Sequence, residues 1–228
     1  MNDEWVSAGE AAISADPSRV AELFPAAGRE AGRGAIDPAA DPQGYRLGTI
    51  DDRARERFVL AVIRALPADR AAAELAELYR YGDDAEQRGV LRGLGAAEAA
   101  GLVAPSAGGT TGEASAGGAD APADPVVVTG LRLVAEALRS NDPRLVAAAL
   151  GPFAARRLDQ HAWRHGVLKT LFMGVPLDAV AGLELRTDAE LARMAAGLVA
   201  ERRAAGRAVT DDMTRLAASA GPADAQED

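Results

Sequence analysis

Cysteine is missing from all 228 residues, which excludes disulfides, thiolate nucleophiles and cysteine-based metal centres. Aromatic residues are scarce at 4%, and positive charge is in the minority, 25 Lys and Arg against 34 Asp and Glu. The resulting net charge of −9 and pI near 4.9 repel phosphate backbones, and no basic patch offsets them, so nucleic acid is not an expected partner. No run of about 18 apolar residues exists, so nothing reads as a membrane span. The opening "MNDEW" is acidic and not followed by an apolar run, unlike a signal peptide. A cytoplasmic protein is the expectation. "GGTTG" lacks the lysine and Ser/Thr of a phosphate loop, and no G-x-S-x-G is present.

What is present is alanine, leucine and valine, which dominate an apolar fraction of 48%. Alanine and leucine are strong helix formers, and alanine lets helices approach closely. Length allows one large domain or two small ones. The first helix is "DEWVSAGEAAISA". Asp16 then caps a second, with Pro17 at its first position. Residues 32–50, rich in Gly and Pro, form an irregular connection. Helix 51–66 holds "FVLAVI", apolar all round and therefore enclosed; the charged lead-in "DDRARER" argues against a strand there. Pro67 breaks it, the next helix stops at Gly82 as at a C-cap, and "DDAEQRGVLRGL" closes the group. Residues 104–124 are low in complexity and read as a flexible loop.

The second half repeats the design. "DPVVVTGLRLVAEALRSN" precedes "DPRLVAAALGPFAARRL", which opens at Asp142 and Pro143 and should kink at Pro152. The helix around 159–172 follows, then a short helix from Pro176 in "PLDAVAGL". A long helix is capped by Thr187 or Asp188 and stopped by Gly206, with Leu191, Met194, Ala195, Leu198 and Val199 on its apolar stripe. "TDDMTRLAASAG" is the last helix. The chain thus divides into a helical half at 1–103, a linker at 104–124, a second helical half at 125–219 and a disordered tail at 220–228. "RGVLRGL" at 88–94 resembles "HGVLKTL" at 165–171, each ending a three-helix group. The fold class is all-α, a helical repeat of the armadillo or HEAT solenoid type.

Both histidines sit in "DQHAWRHGVLKTLF", Asp159 to Phe172. On a helix, Trp163, Val167 and Leu171 share one arc, extended by Leu168 and Phe172. His161, His165 and Lys169 line its edge, and Arg164 enters the apolar arc. Paired histidines four apart can bind a metal, but the intervening residues are Ala162, Trp163 and Arg164, the glutamate of H-E-x-x-H is absent, and no third ligand is identifiable, so no metal or cofactor is assigned. Two readings stay open. The pair lies at a helix boundary, or Arg164, His165 and Lys169, with His161 and Asn141, form a pocket for an anionic ligand. A guanidinium in an apolar layer needs a carboxylate or an anion; Asp51, Asp52, Glu136 and Glu184 are the candidate partners, unless Arg164 snorkels to solvent. Asp51 and Asp52 read as helix-capping residues, and Tyr79 and Tyr81 as packing or rim residues.

From Trp163 onward the text resembles the C-terminal signature of the EboA family. The match is carried by Val167, Leu168, Lys169 and Phe172, then Pro176, Leu177, Gly182, Leu183 and Arg186, then Glu201, Arg202, Ala204, Ala205, Gly206, Arg207 and Val209. "SNDPRL" and "TIDDRARERFVL" resemble upstream family segments. Glu184, Asp188 and Arg203 depart from the usual pattern. The resemblance implies a helical fold and a bacterial gene cluster that includes a UbiA-type prenyltransferase and is linked to prenylated secondary metabolites. It carries over no catalytic residue. The leading expectation is a non-catalytic accessory protein that binds a cluster enzyme or a prenylated or anionic small molecule. The alternatives are an enzyme using Arg164, His165 and Lys169, and a pure scaffold.

Overall fold

The computed structural model describes residues 2–104 and 123–219. Among them the chain is all-α, and the extended pairing is a lone antiparallel bridge between Ala35 and Thr49. Helix α1 (Asp3–Ala15) is followed by a 3-10 turn (Pro17–Arg19) and α2 (Val20–Glu30). Then come α3 (Ile50–Ala65), α4 (Ala68–Tyr81) and α5 (Asp84–Ala99). The second group holds α6 (Pro125–Ala137), α7 (Pro143–Ala149), α8 (Pro152–Arg157), α9 (Gln160–Met173), α10 (Leu183–Arg186), α11 (Ala189–Ala204) and α12 (Asp211–Ala217). Most of the expected low-complexity loop and the whole expected tail lie outside the described residues.

Side-chain caps fix where these helices start. Asp83, Asp124, Asp142, Asp159 and Asp188 each accept backbone N–H groups that the first turn leaves unpaired. Pro125, Pro143 and Pro152 occupy first helical positions, where a missing N–H costs nothing. Two expectations are corrected. At Pro152 the chain does not kink but breaks, because Gly151 leaves the helical region before Pro152 starts α8. "PLDAVAGL" is a 3-10 turn at Leu177–Ala179 followed by the separate α10. Gly82 ends α4 as its C-cap, as expected, at φ −78°; a side chain there would strike the Leu78 carbonyl oxygen at 2.5 Å.

Helices α3 and α5 form the centre. On α3, Phe58, Val59 and Val62 are fully buried, as are Val90 and Leu94 on α5. Glycines four residues apart on α5 set their separation: a Cβ at Gly89 would lie 2.4 Å from Arg55 Cδ, and one at Gly93 would lie 2.4 Å from Val59 Cβ. Helices α1 and α2 cover α3, while α4, α7 and α8 pack on α5, and α6 lies against α4. Glu98 of α5 joins α8 through a buried two-bond pair with Arg157, 2.7 and 3.1 Å.

A charged network crosses the α3–α5 contact. Asp52 accepts the Thr49 N–H as a cap, at 3.0 Å, and both its oxygens accept Arg88 Nε at 2.9 Å. Asp51 pairs with Arg55 one turn later and accepts the Thr49 hydroxyl at 2.7 Å. All five side chains are buried. Such a network contributes little net stability against an apolar replacement, but it fixes the register of two helices because any slip strands a charge. Arg92 extends it to the 41–48 connection by donating to the carbonyls of Gly44 and Tyr45, both at 2.9 Å. Asp41 holds the same loop by accepting three N–H groups, from Tyr45, Arg46 and Leu47. The connection lacks regular structure but is tied down at both ends.

Two mid-helix glycines test the packing argument. Gly93→Ala should destabilise the protein by about 1–3 kcal/mol through overpacking. Gly197→Ala, where nothing stands within 4 Å, should stabilise it by about 0.5–1 kcal/mol. Urea denaturation of both variants checks this, and two changes of the same sign would contradict it.

Candidate functional site

Helix α9 is packed as its periodicity dictates along most of its length. Asp159 caps it, and Gly174 ends it at φ 75° in the left-handed region that favours glycine. Trp163, Val167 and Leu171 face the core at 0–2% exposure. Phe172 does not join them; it is 60% exposed, because it lies 100° beyond Leu171 and passes the edge of the buried arc. Trp163 is held by Arg186, whose guanidinium stacks 4.8 Å over the ring. Arg186 also donates to the carbonyls of Ala154, Ala155 and Leu158 at the end of α8, and to Gln160. One arginine therefore satisfies a helix C-terminus and closes over the buried indole.

The charged residues of α9 part company. Arg164 pairs with Asp188, the cap of α11, and not with Asp51, Asp52, Glu136 or Glu184. This bond and the neighbouring N–H donors hold the Asp188 carboxyl well below the usual carboxylate range. Lys169 donates to the Leu138 carbonyl at 2.7 Å, at the C-terminus of α6, where a cation complements the helix dipole. His161 and His165 are exposed, with rings edge to face at 4.4 Å. His165 and Lys169 line one groove of about 310 Å³ with Leu138 and Leu158; Arg164, His161 and Asn141 are not among its walls. Asn141 is exposed in the turn before α7. Among the described residues no three His, Asp or Glu groups gather as a metal set would require. The anion pocket read from Arg164, His165 and Lys169 is thus divided over two surfaces, and two of its three cations have protein partners.

A larger cleft, about 660 Å³, opens where the two helical groups meet. Its floor is small and apolar: Gly95 and Ala96 of α5, with Ala147, Ala148 and Pro152 of α7 and α8. Gly95 keeps the groups close, since a Cβ there would touch Pro152 Cδ at 3.1 Å. The Ala181 N–H donates to the Leu150 carbonyl at 2.9 Å, which fixes the 178–181 turn as a further wall. The mouth is charged. Arg46 stands 3.9 Å from Asp178, and Arg53 3.3 Å from Glu56. Burial pushes the Glu56 carboxyl up, only partly offset by Arg53 and Arg92, whereas burial lowers Arg92. An apolar floor of this size under a few convergent charges is the usual form of a small-molecule site. It contains no nucleophile paired with a base.

Of these groups the sequence offered only weak signs. Arg46, Arg53, Glu56 and Arg92 lie on three segments that only the fold brings together. A raised carboxyl pKa disfavours the ionised native state, so the stability Glu56 contributes is present below its unfolded pKa and is lost as pH rises through the folded value. Glu56→Gln should therefore unfold at a higher urea concentration than the parent at pH 7. The gap should close as the pH falls below about 4. A gap independent of pH would contradict the assignment.

No curated protein and no solved structure matches the chain. Residues 130–218 match the model of one family, described as "Metabolite traffic protein EboA". That range contains Trp163, Arg186 and Asp188, as well as the α7–α8 and 178–181 walls of the cleft. Over this segment the chain is similar to the EboA family.

Proposed function

We propose that this protein is a non-catalytic accessory protein that binds a small amphiphilic metabolite in the cleft between its helical groups. The observation that carries the proposal is the pairing of a Gly/Ala-lined floor with arginines at the mouth. Small residues leave room for an apolar body, and Arg46 and Arg53 supply an anionic head with donors. The family's description as a metabolite traffic protein supports the same reading. From the resemblance of 163–213 to the EboA signature, the cargo would be a prenylated secondary metabolite of a bacterial cluster, and the partners its enzymes.

The architecture belongs to this proposal. We read 1–103 and 125–219 as two related helical units of the armadillo or HEAT type. The matched segments support it, because Gly89 and Gly166 both press against a neighbouring helix, on Arg55 and on Leu150. A scaffold reading draws on a different observation: Leu185 is 91% exposed, beside an apolar cleft of about 730 Å³ lined by Leu177, Leu183 and Leu216. The reading as an enzyme built on Arg164, His165 and Lys169 has less support, since Asp188 and the Leu138 carbonyl already engage two of them.

The test uses 1-anilinonaphthalene-8-sulfonate, an aromatic anion whose fluorescence rises on burial. It should bind the folded protein saturably at one site. Ala96→Phe, which fills the floor, should abolish binding. Arg53→Ala should weaken it roughly five-fold, on the order of 1 kcal/mol for a charge-assisted contact at a rim. Saturable binding that survives Ala96→Phe would place the site elsewhere. Robust turnover of cluster metabolites by the purified protein would end the non-catalytic reading.

A further inference from the structure

Nearer the start of α5 and α7, and sharing Tyr45 with the first cleft, a second cleft of about 600 Å³ opens over the buried charge network. Its character differs from the first. Arg55 and Arg88 form its floor, Arg33 and Arg144 stand in its walls, and the carboxylates Asp51, Asp83, Asp84 and Asp142 line the same space. Four arginines thus balance four carboxylates, and Pro25, Tyr45, Ala85 and Pro143 add to the lining.

Three observations separate this cleft from an ordinary solvated surface. First, the floor arginines are buried yet not fully used. Arg55 donates through Nε to the Phe24 carbonyl and through Nη1 to Asp51, and Arg88 through Nε to Asp52 and Nη2 to Thr49. Arg55 Nη2 and Arg88 Nη1 make no hydrogen bond to a described residue, and neither is among the polar atoms sealed from solvent without a partner. Two fixed donors therefore open onto the cleft. Second, the wall arginines lack carboxylate partners. Arg144 reaches only Gln43, at 3.3 Å, and Arg33 pairs with no described acid. Arg33 is nevertheless placed: its side chain lies flat on Gly28, where a Cβ would meet its Nε at 2.8 Å. Third, Asp83 and Asp142 each use one carboxylate oxygen as a helix cap, which fixes their orientation and leaves the second oxygen available. Asp84 makes no side-chain hydrogen bond to a described residue.

A site with fixed donors and fixed acceptors, both unsatisfied, matches a ligand carrying both charges. A bare anion would meet four carboxylates, Asp51 among them, and a bare cation four arginines; each meets repulsion that a zwitterion avoids. We propose that this cleft binds a small polar zwitterion, with its acidic group on the floor donors between Arg33 and Arg144 and its ammonium on Asp84. The ligand class differs from the amphiphile of the first cleft, and the two sites share only Tyr45 among their lining residues.

Isothermal titration calorimetry with O-phosphoethanolamine, inorganic phosphate and ethanolamine tests the proposal. O-phosphoethanolamine should bind at least ten-fold more tightly than phosphate, and ethanolamine should not bind measurably. Arg33→Ala and Arg144→Ala, both at solvent-facing positions that leave the core intact, should each weaken O-phosphoethanolamine by five-fold or more. Asp84→Asn should erase most of its advantage over phosphate while leaving phosphate binding no weaker. Ala96→Phe should change none of these values, so failure here and failure of the first cleft are distinguishable. Equal affinity for phosphate and O-phosphoethanolamine, absence of binding by O-phosphoethanolamine, or insensitivity to both arginine variants would overturn the proposal.

Discussion

The close contact of α3 with α5 governs this molecule. Two glycines on α5 remove the side chains that would hold the helices apart, and Arg55 and Val59 of α3 fill the vacated space. The gain is dispersion contact along both helices; the constraint is that nothing larger than hydrogen fits. Charge then adds specificity to the packing. With Arg88 on Asp52 and Arg55 on Asp51, all nearly enclosed, a one-turn slip of either helix would leave a guanidinium unpaired in a low dielectric. Apolar burial supplies the stability, and the ion pairs choose one arrangement from those that burial alone would allow.

Both clefts are consequences of that contact. Arg92 leaves α5 to hold the 41–48 connection by its carbonyls, which builds one wall of the apolar cleft. Nearer the start of α5 the same network floors the charged cleft with donors the fold does not consume. The EboA segment closes both: α7, α8 and the 178–181 turn wall the first, and Asp142 to Arg144 the second. The matched segment is thus one side of each site, while residues 41–56 and 83–100, with Pro25 and Arg33, supply the other.

Local chemistry was the legible part. Asp16, Asp142 and Asp188 announce helix starts because a short acid beside an orphan N–H acts within three residues of sequence. Trp163 announces a buried face because period 3.6 is a local property. The EboA resemblance rested in part on residues that the structure explains, since Arg186 stacks on Trp163. What stayed hidden depends on distance along the chain. Arg164 has a partner 24 residues away that competed with four other acids of equal plausibility. Asp51 and Asp52 read as caps, and Asp52 is one, but their second role needed Arg88, 36 residues on from Asp52. The available sign was an arginine beside each of Gly89 and Gly93 in "RGVLRG", charge set where an enclosed helix should have none. Neither cleft has a sequence signature, because each is assembled from four or more segments.

Native-state hydrogen exchange, resolved by residue, tests the primacy of the α3–α5 contact. The slowest amides should be those of Phe58, Val59 and Val62 on α3 and Val90 and Leu94 on α5, opening only with global unfolding. Exchange on α3 and α5 as fast as on the peripheral α11 and α12, with protection highest elsewhere, would contradict it.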